Sequence, residues 1–345
     1  KKRIMRYIQS LNHSLHQLMD ENEDVYLLGE DIIDPYGGAF KVSKGLSTRY
    51  PERVIPTPIS ESCLTGFVTG MAIRGLRPIL EIMFGDFITL CTDQIVNSAS
   101  KFSWMYNGQV KVPIVIRTPM GGRRGYGATH SQSLEALFLN VPGLTMVAPS
   151  HFHDPGSLLQ NAVLIMDNPV LFIENKSLYS RQLITSECAE NANTLESIKI
   201  TSVANKLFPT VTYNVDLKAH SDVTLIVYGG MAPLGVEAAK ALYFEEEIAV
   251  EVIIPSLVKP SPILDILPSI KKTGKAVIAE EGVRNAGWGA MLASEIYESV
   301  YEWIDKPIKR IGAEEVPMPC SKALEEEVLP QISDIKDAII DLIIN

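Results

Sequence analysis

The chain has 345 residues, 46% hydrophobic and 21% charged, enough for about two globular domains with sizeable cores. Its 31 Lys and Arg against 41 Asp and Glu leave a net charge of −10, which argues against a protein built to neutralise nucleic-acid phosphates. No apolar run reaches the ~20 residues of a membrane-spanning helix, and four scattered cysteines without a C-x-x-C pair leave no zinc ribbon or thioredoxin-type motif and point to a reducing compartment.

Lys1-Lys2-Arg3 has no apolar segment behind it and no initiator Met, so the sequence reads as processed, trimmed or partial. Ile4, Ile8, Leu11, Leu15 and Leu18 recur at helical spacing and predict an amphipathic helix over residues 2–21. Short apolar strands are expected at 25–29 and 54–56. A helix is expected over 62–74, with Ser60 as its N-cap and Glu61 opening it. There follow a strand at 78–83, a helix at 93–103, a strand at 112–117, a glycine-rich loop, a helix at 133–140, a strand at 145–148, a helix at 154–165 and a strand at 170–174. Alternation at this pitch means βα units and a mostly parallel, doubly wound sheet, covered on both faces.

Residues 180–221 are polar and weakly periodic and read as an inter-domain connection. Alternation then resumes. Strands are expected at 223–228, 249–254, 275–280 and 308–311, helices at 232–244, 263–271 and 287–300, and one or two helices over 322–344. The fold class is α/β: two doubly wound domains, residues 1–185 and 221–345, joined by a divergent connection over 186–220.

Five stretches lie where open α/β sheets bind ligands, beyond the carboxyl ends of strands. In the first, Glu61 opens a helix on which Gly66 and Gly70 form a smooth strip. Spacing alone leaves two readings open: a carboxylate that complements the helix dipole, or a functional one. The second, Gly121-Gly122-Arg123-Arg124-Gly125-Tyr126-Gly127, runs on to His130 and matches neither Rossmann nor Walker spacing. The third, Glu81-Ile82-Met83-Phe84-Gly85-Asp86-Phe87, ends a strand in Met and aromatics, as core packing or a site wall would. Gly229-Gly230, and Glu280-Glu281 with the glycines after them, read as turns. His151 and His153 lack a third metal ligand and read as loop residues.

Together these stretches resemble a known family. The matching words are Leu27-Leu28-Gly29-Glu30-Asp31, Thr57-Pro58-Ile59-Ser60-Glu61, Gly75-Leu76-Arg77-Pro78, Glu81-Ile82-Met83-Phe84, Asp93-Gln94-Ile95-Val96-Asn97, Gly108-Gln109-Val110-Lys111-Val112-Pro113, His130-Ser131-Gln132-Ser133 and Pro142-Gly143-Leu144. Ser221-Asp222-Val223-Thr224, Lys272-Thr273-Gly274 and Val316-Pro317-Met318-Pro319 continue them in the second half. The chain resembles the β subunit of the thiamine-diphosphate-dependent, decarboxylating component of 2-oxo acid dehydrogenase complexes, a family with pyruvate, branched-chain and acetoin enzymes.

The resemblance implies a transketolase-like pyrimidine-binding domain followed by a transketolase C-terminal-like domain. It implies thiamine diphosphate in a cleft shared with an α subunit, which holds the diphosphate and Mg²⁺ within an α2β2 heterotetramer. Glu61 matches the glutamate that shares a proton with a pyrimidine ring nitrogen and favours the imino tautomer. Phe87 matches the aromatic stacked on the pyrimidine, and Met83 its apolar neighbour. His130 matches the histidine that donates a proton or stabilises charge as the acyl group passes to lipoamide on an acyltransferase core. A structural K⁺ is implied near Ile114, Ala162, Asp167 and Asn168, although this chain has one extra residue between Ala162 and Pro169. The family's Gly-Asp-Gly motif for Mg²⁺ has no counterpart, so the partner supplies that half of the site.

The function implied is oxidative decarboxylation of a 2-oxo acid, pyruvate or branched-chain, with no nucleic acid or membrane partner. The alternatives are an acetoin-type or biosynthetic acyl-transferring subunit, or a non-catalytic assembly subunit. The bacterial cytoplasm is the expected location, or the mitochondrial matrix if a targeting segment was removed. The chain departs from the pattern at Thr129, Gly229-Gly230, residues 252–260, Cys320 and residues 185–220.

Overall fold

The structure is a computed structural model that describes residues 5–184, 196–201, 205–216 and 220–344. Helix α1 (Tyr7–Glu21) buries Tyr7, Leu11, Leu15 and Leu18 along one face, as the apolar spacing requires. Strands β1 (Val25–Gly29), β2 (Val54–Pro56), β3 (Arg77–Glu81), β4 (Val115–Met120), β5 (Thr145–Val147) and β6 (Val170–Asn175) run parallel to one another in a seven-stranded sheet. Its order is 5-6-4-3-1-2, with a later strand at the β5 edge. β4 and β6 are buried at every position, which is why they read as apolar runs rather than alternating ones.

Helices α2 (Leu46–Arg49), α3 (Glu61–Ile73), α4 (Phe102–Met105) and α5 (Pro155–Leu164) lie between these strands. Ser60 is the N-cap of α3 by position, but its side chain makes no capping hydrogen bond, against the expectation from its residue type. The helix expected at 93–103 is broken up. A 3₁₀ segment at Gly85–Cys91 leads into a π segment at Gln94–Ala99, and only then into α4.

The helix expected at 133–140 is a single 3₁₀ turn, Glu135–Phe138. The carbonyls left free beyond it are met from far along the chain: the Lys259 ammonium donates to those of Leu139 at 2.6 Å, Phe138 at 3.4 Å and Val141.

The second sheet contains β7 (Ser197–Ile200), β8 (Thr210–Asn214), β9 (Val223–Val227), β10 (Val250–Pro255), β12 (Ala276–Val283) and β13 (Lys309–Ala313), in the order 13-12-9-10-8-7. β9, β10, β12 and β13 are parallel, whereas β7 and β8 add an antiparallel edge. The stretch read as a connection over 186–220 therefore supplies two strands; its residues 185–195, 202–204 and 217–219 lie outside those described. Its polarity concealed them because the hydroxyls find partners across the fold: Thr210 donates to Asp265 at 2.7 Å, and Thr201 and Thr212 share a hydrogen bond of 2.8 Å.

β11 (Leu257–Lys259) leaves the second sheet and pairs antiparallel with β5, at the edge of the first. One apolar core accordingly draws on both halves, including Ile116, Met146, Ile278 and Trp288, whose indole N–H donates to the Val258 carbonyl at 3.2 Å.

Candidate active site

The chain passes from β1 to β2 on one side of β1, then places β3 on the other. That reversal opens a crevice beyond the carboxyl ends of β1 and β3, the place where open α/β sheets bind ligands. The register brings Gly29 level with both Pro56 and Glu81, and Glu81 level with Arg117. The segments that follow these strands carry the candidate residues.

Glu61 is the first residue of α3 and only 6% exposed. Its main-chain carbonyl accepts the Thr65 hydroxyl at 2.8 Å and the Cys91 thiol at 3.7 Å. Among the described residues, no hydrogen bond is made to its carboxylate. Glu30, at the end of β1, faces it: burial first, then the charges of Glu61 and Asp31, push the Glu30 carboxyl up. Cys91 also donates to the Phe87 carbonyl at 3.9 Å, so one side chain ties the start of α3 to the segment bearing Phe87. Burial chiefly pushes that thiol up to about 12, with Glu61 and Glu30 adding to it. It is an inert packing group at neutral pH.

An aromatic wall adjoins. The His130 imidazole meets Phe84 edge-on at 4.7 Å and Phe87 at 5.3 Å, and Phe84 also meets Tyr126 at 6.0 Å. His130 Nδ1 lies 3.0 Å from the Thr129 hydroxyl. Met83 is half-buried just beyond β3. Glu61, Phe87 and His130 thus share one edge of the sheet.

Sequence reading missed the residues that hold this edge in shape. The guanidinium of Arg117, wholly buried, donates to Glu174 through two nitrogens at 2.8 and 2.7 Å and also contacts Glu81. Burial by itself lowers the Arg117 pKa; Glu174 and then Glu81 raise it more, and it stays cationic. Tyr179 donates to Glu174 at 2.7 Å, and Glu81 accepts the Ala39 N–H at 2.6 Å. The signal was present: Glu81, Arg117 and Glu174 are charged residues inside three mainly apolar strands.

The glycine-rich loop is held from the second half of the chain. Glu281 accepts the Gly122 N–H at 2.6 Å, and Glu325 accepts those of Arg123 at 2.7 Å and Gly125 at 3.0 Å. Gly121, Gly125 and Gly127 have φ of +92°, +69° and +76°, and a Cβ at Gly127 would stand 2.4 Å from the Cys320 sulfur. No local motif announces Glu281 or Glu325 as partners of this loop.

Ile114 precedes β4, Ala162 lies in α5, and Asp167 and Asn168 precede β6, away from this edge and towards the amino-terminal ends of the strands. The Ile114 carbonyl accepts the Val170 N–H at 2.9 Å, and that of Asp167 accepts the Val112 N–H at 2.9 Å. Asn168 donates to Thr145 at 2.8 Å. The Arg77 guanidinium covers the neighbouring carbonyls of Val163 at 2.6 Å and Met166 at 3.3 Å. His151 and His153 lie in the loop between β5 and α5, as read, but are buried there, and burial lowers them to about 3 and about 4. Among the described residues, no group of three His, Cys, Asp or Glu is placed to hold a metal ion.

Comparison with known proteins decides the family. Residues 4–182 match the model of the transketolase pyrimidine binding domain, and residues 213–335 that of the transketolase C-terminal domain. The chain is 36% identical over 329 residues to subunit beta-2 of the mitochondrial pyruvate dehydrogenase E1 component of Oryza sativa subsp. japonica, covering 95% of this chain and 83% of that protein. The E1 subunit beta of Rickettsia felis is 36% identical over 332 residues, with 96% of each chain covered.

The chain belongs to the family of pyruvate dehydrogenase E1 β subunits.

It is therefore a β subunit of a thiamine-diphosphate-dependent 2-oxo acid dehydrogenase. The mitochondrial E1 subunit beta of Saccharomyces cerevisiae, 33% identical over 340 residues, covers 98% of this chain and 88% of its own length. A solved split-gene transketolase, an inactive β4 tetramer, shares the fold with a TM-score of 0.72 over 98% of each chain, at 21% identity. The edge built by Glu61, Phe84, Phe87 and His130 suits an E1 β chain: a buried carboxyl group with unused hydrogen-bonding capacity, beside aromatic faces, fits a heteroaromatic ring carrying nitrogen.

Proposed function

We propose that Glu61, Met83, Phe87 and His130 form the pyrimidine-side half of a thiamine diphosphate site, completed by an α subunit that holds Mg²⁺ and the diphosphate in an α2β2 heterotetramer. The observation that carries this reading is Glu61, a buried carboxyl group at a helix start, in the crevice between β1 and β3, with no hydrogen bond to its carboxylate among the described residues.

When bound, the cofactor supplies the electron sink for decarboxylating a 2-oxo acid, pyruvate or branched-chain. Glu61 holds and returns a proton at its carboxyl oxygen, facing a ring nitrogen. Phe87 and Met83 present apolar surface to that ring and, with Phe84, keep water from it. His130 donates a proton, or bears charge, on the side where the acyl group leaves for lipoamide on the acyltransferase core. The partner reading is supported by exposed apolar side chains beside the site: Ile59 is 80% exposed, Phe67 58% and Leu90 54%. A monomer seldom leaves such a patch uncovered.

The division at 1–185, 186–220 and 221–345 belongs to the same reading, with the proviso that β7 and β8 join the last unit. So does K⁺ at the carbonyls of Ile114, Ala162, Asp167 and Asn168. The cytoplasm of a bacterium, or a mitochondrial matrix, is the proposed location. The test is co-purification with a candidate α chain, supplied with thiamine diphosphate, Mg²⁺ and a panel of 2-oxo acids, read with an artificial electron acceptor. Turnover of one acid supports the proposal. A formed tetramer silent on all of them overturns it and favours an assembly subunit.

A further inference from the structure

We propose that Lys176 is a positioning residue for His130, fixing the loop that carries the imidazole. The inference rests on the reading of His130 given above. Lys176 is the first residue after β6, so its main chain is set by a strand buried at every position. The residue is 0% exposed, although a lysine is almost never fully buried unless its ammonium has partners.

Its partners all belong to the site. Nζ donates to the main-chain carbonyl of His130 at 2.5 Å. It also lies over the rings of Phe84 at 5.3 Å, which borders the imidazole, and Tyr126 at 5.7 Å, which meets Phe84. The Lys176 carbonyl in turn accepts the Arg124 guanidinium at 2.9 Å. One residue at a rigid strand end therefore holds the loop near its start, at Arg124, and at its far end, at His130. Glu281 and Glu325 fix the N–H groups of Gly122, Arg123 and Gly125, in the first part of the loop, and do not reach His130. The His130 N–H donates to the Gly127 carbonyl at 3.3 Å, within the loop itself, whereas Lys176 ties the His130 carbonyl to a strand end; without that contact the carbonyl loses its donor.

The charged groups that face Nζ are Asp86 from the 3₁₀ segment, Glu281 from β12, Glu325 near the C-terminus and Arg124 from the loop. Burial outweighs the three carboxylates and lowers the ammonium to about 8. Above that pH the charge over the two rings is lost and the contact to the His130 carbonyl weakens. An arginine would keep its charge throughout.

The experiment uses the assembled α2β2 complex and the variants Lys176→Met, Lys176→Arg, His130→Ala and Lys176→Met combined with His130→Ala. In the cofactor-free complex, hydrogen exchange of segment 121–131 should quicken in Lys176→Met and return towards the parent rate in Lys176→Arg. With cofactor, Lys176→Met should slow acyl transfer to lipoamide about 10- to 100-fold, the scale of a misplaced catalytic group. In the His130→Ala background the same change should add nothing, because the lysine acts only through the imidazole. An alkaline fall in transfer near pH 8 should vanish in Lys176→Arg.

Unchanged exchange, or a Lys176→Met loss that multiplies with that of His130→Ala, overturns the inference and leaves the role of His130 standing. Normal transfer in His130→Ala alone overturns both. If Lys176→Met does not assemble, Lys176→Gln replaces it in the cycle and the same outcomes decide.

Discussion

The carboxylate of Glu325 accepts the main-chain N–H of Arg123 at 2.7 Å, across 202 residues of sequence. Its second oxygen takes the N–H of Gly125, so a residue near the C-terminus shapes the loop that ends in His130. Nothing in either local sequence forecasts the contact. It makes the second half of the chain a part of the site rather than only a surface for other subunits.

Replacing Glu325 by Gln leaves one acceptor oxygen for two N–H groups and turns an NH₂ towards one of them. The carboxylate is buried, so we expect a loss of about 1.5–3 kcal/mol, the range for a hydrogen bond to a charged group. Denaturant unfolding of the complex checks this, and transfer to lipoamide should fall alongside. A midpoint within error of the parent would mean that the loop holds its shape without Glu325.

The Arg117 network makes a harsher prediction. Arg117→Met removes the cation between Glu81 and Glu174, both buried, and should destabilise the chain by about 3–5 kcal/mol. Replacing Glu81 and Glu174 by Gln in the same chain should recover much of that loss. Thermal unfolding of the single and triple variants reads both effects. A single variant as stable as the parent would show that the triad carries no uncompensated charge.

Much of this architecture was legible in the sequence because parallel strands covered on both faces must be largely apolar, and β1, β4, β6, β9 and β10 are, apart from groups such as Arg117 and Glu174. Glu61, Phe87 and His130 stood out because each follows a strand within a distinctive local word. What escaped reading was non-local. β8 is buried through hydroxyls that find partners across the sheet, so polarity read as a connection. β11 is three residues long and pairs with the other sheet. The helix expected at 133–140 is a short 3₁₀ turn whose last carbonyls are taken by the Lys259 ammonium, brought in by that same strand. Lys176, Glu281 and Glu325 belong to no motif, and their work is visible only once the halves are folded together.

Glu280 gives stability a pH signature. Burial, opposed by the Gly289 N–H and reinforced by Glu135, raises its carboxyl from 4.5 to about 8. Between those values the folded chain binds a proton that the unfolded chain has released. This contribution is therefore full below about 4.5 and falls away as pH rises towards 8. The buried His151 and His153, lowered to about 3 and about 4, act in the opposite sense and weaken the fold in acid below about 6.5. Glu280→Gln keeps an acceptor for Gly289 and cannot ionise. Its advantage over the parent in melting temperature should grow from pH 5 to pH 8, and a constant difference would contradict the assignment.

The central claim is that the carboxyl group of Glu61 exchanges a proton with the cofactor ring. The most direct measurement is 2-oxo acid decarboxylation by Glu61→Gln in a tetramer reconstituted with its α partner, thiamine diphosphate and Mg²⁺. Gln preserves the shape and the hydrogen bond but not the proton transfer, so the tetramer should assemble while turnover falls by about 10²- to 10⁴-fold. Turnover near the parent rate in that assembled variant would contradict the account.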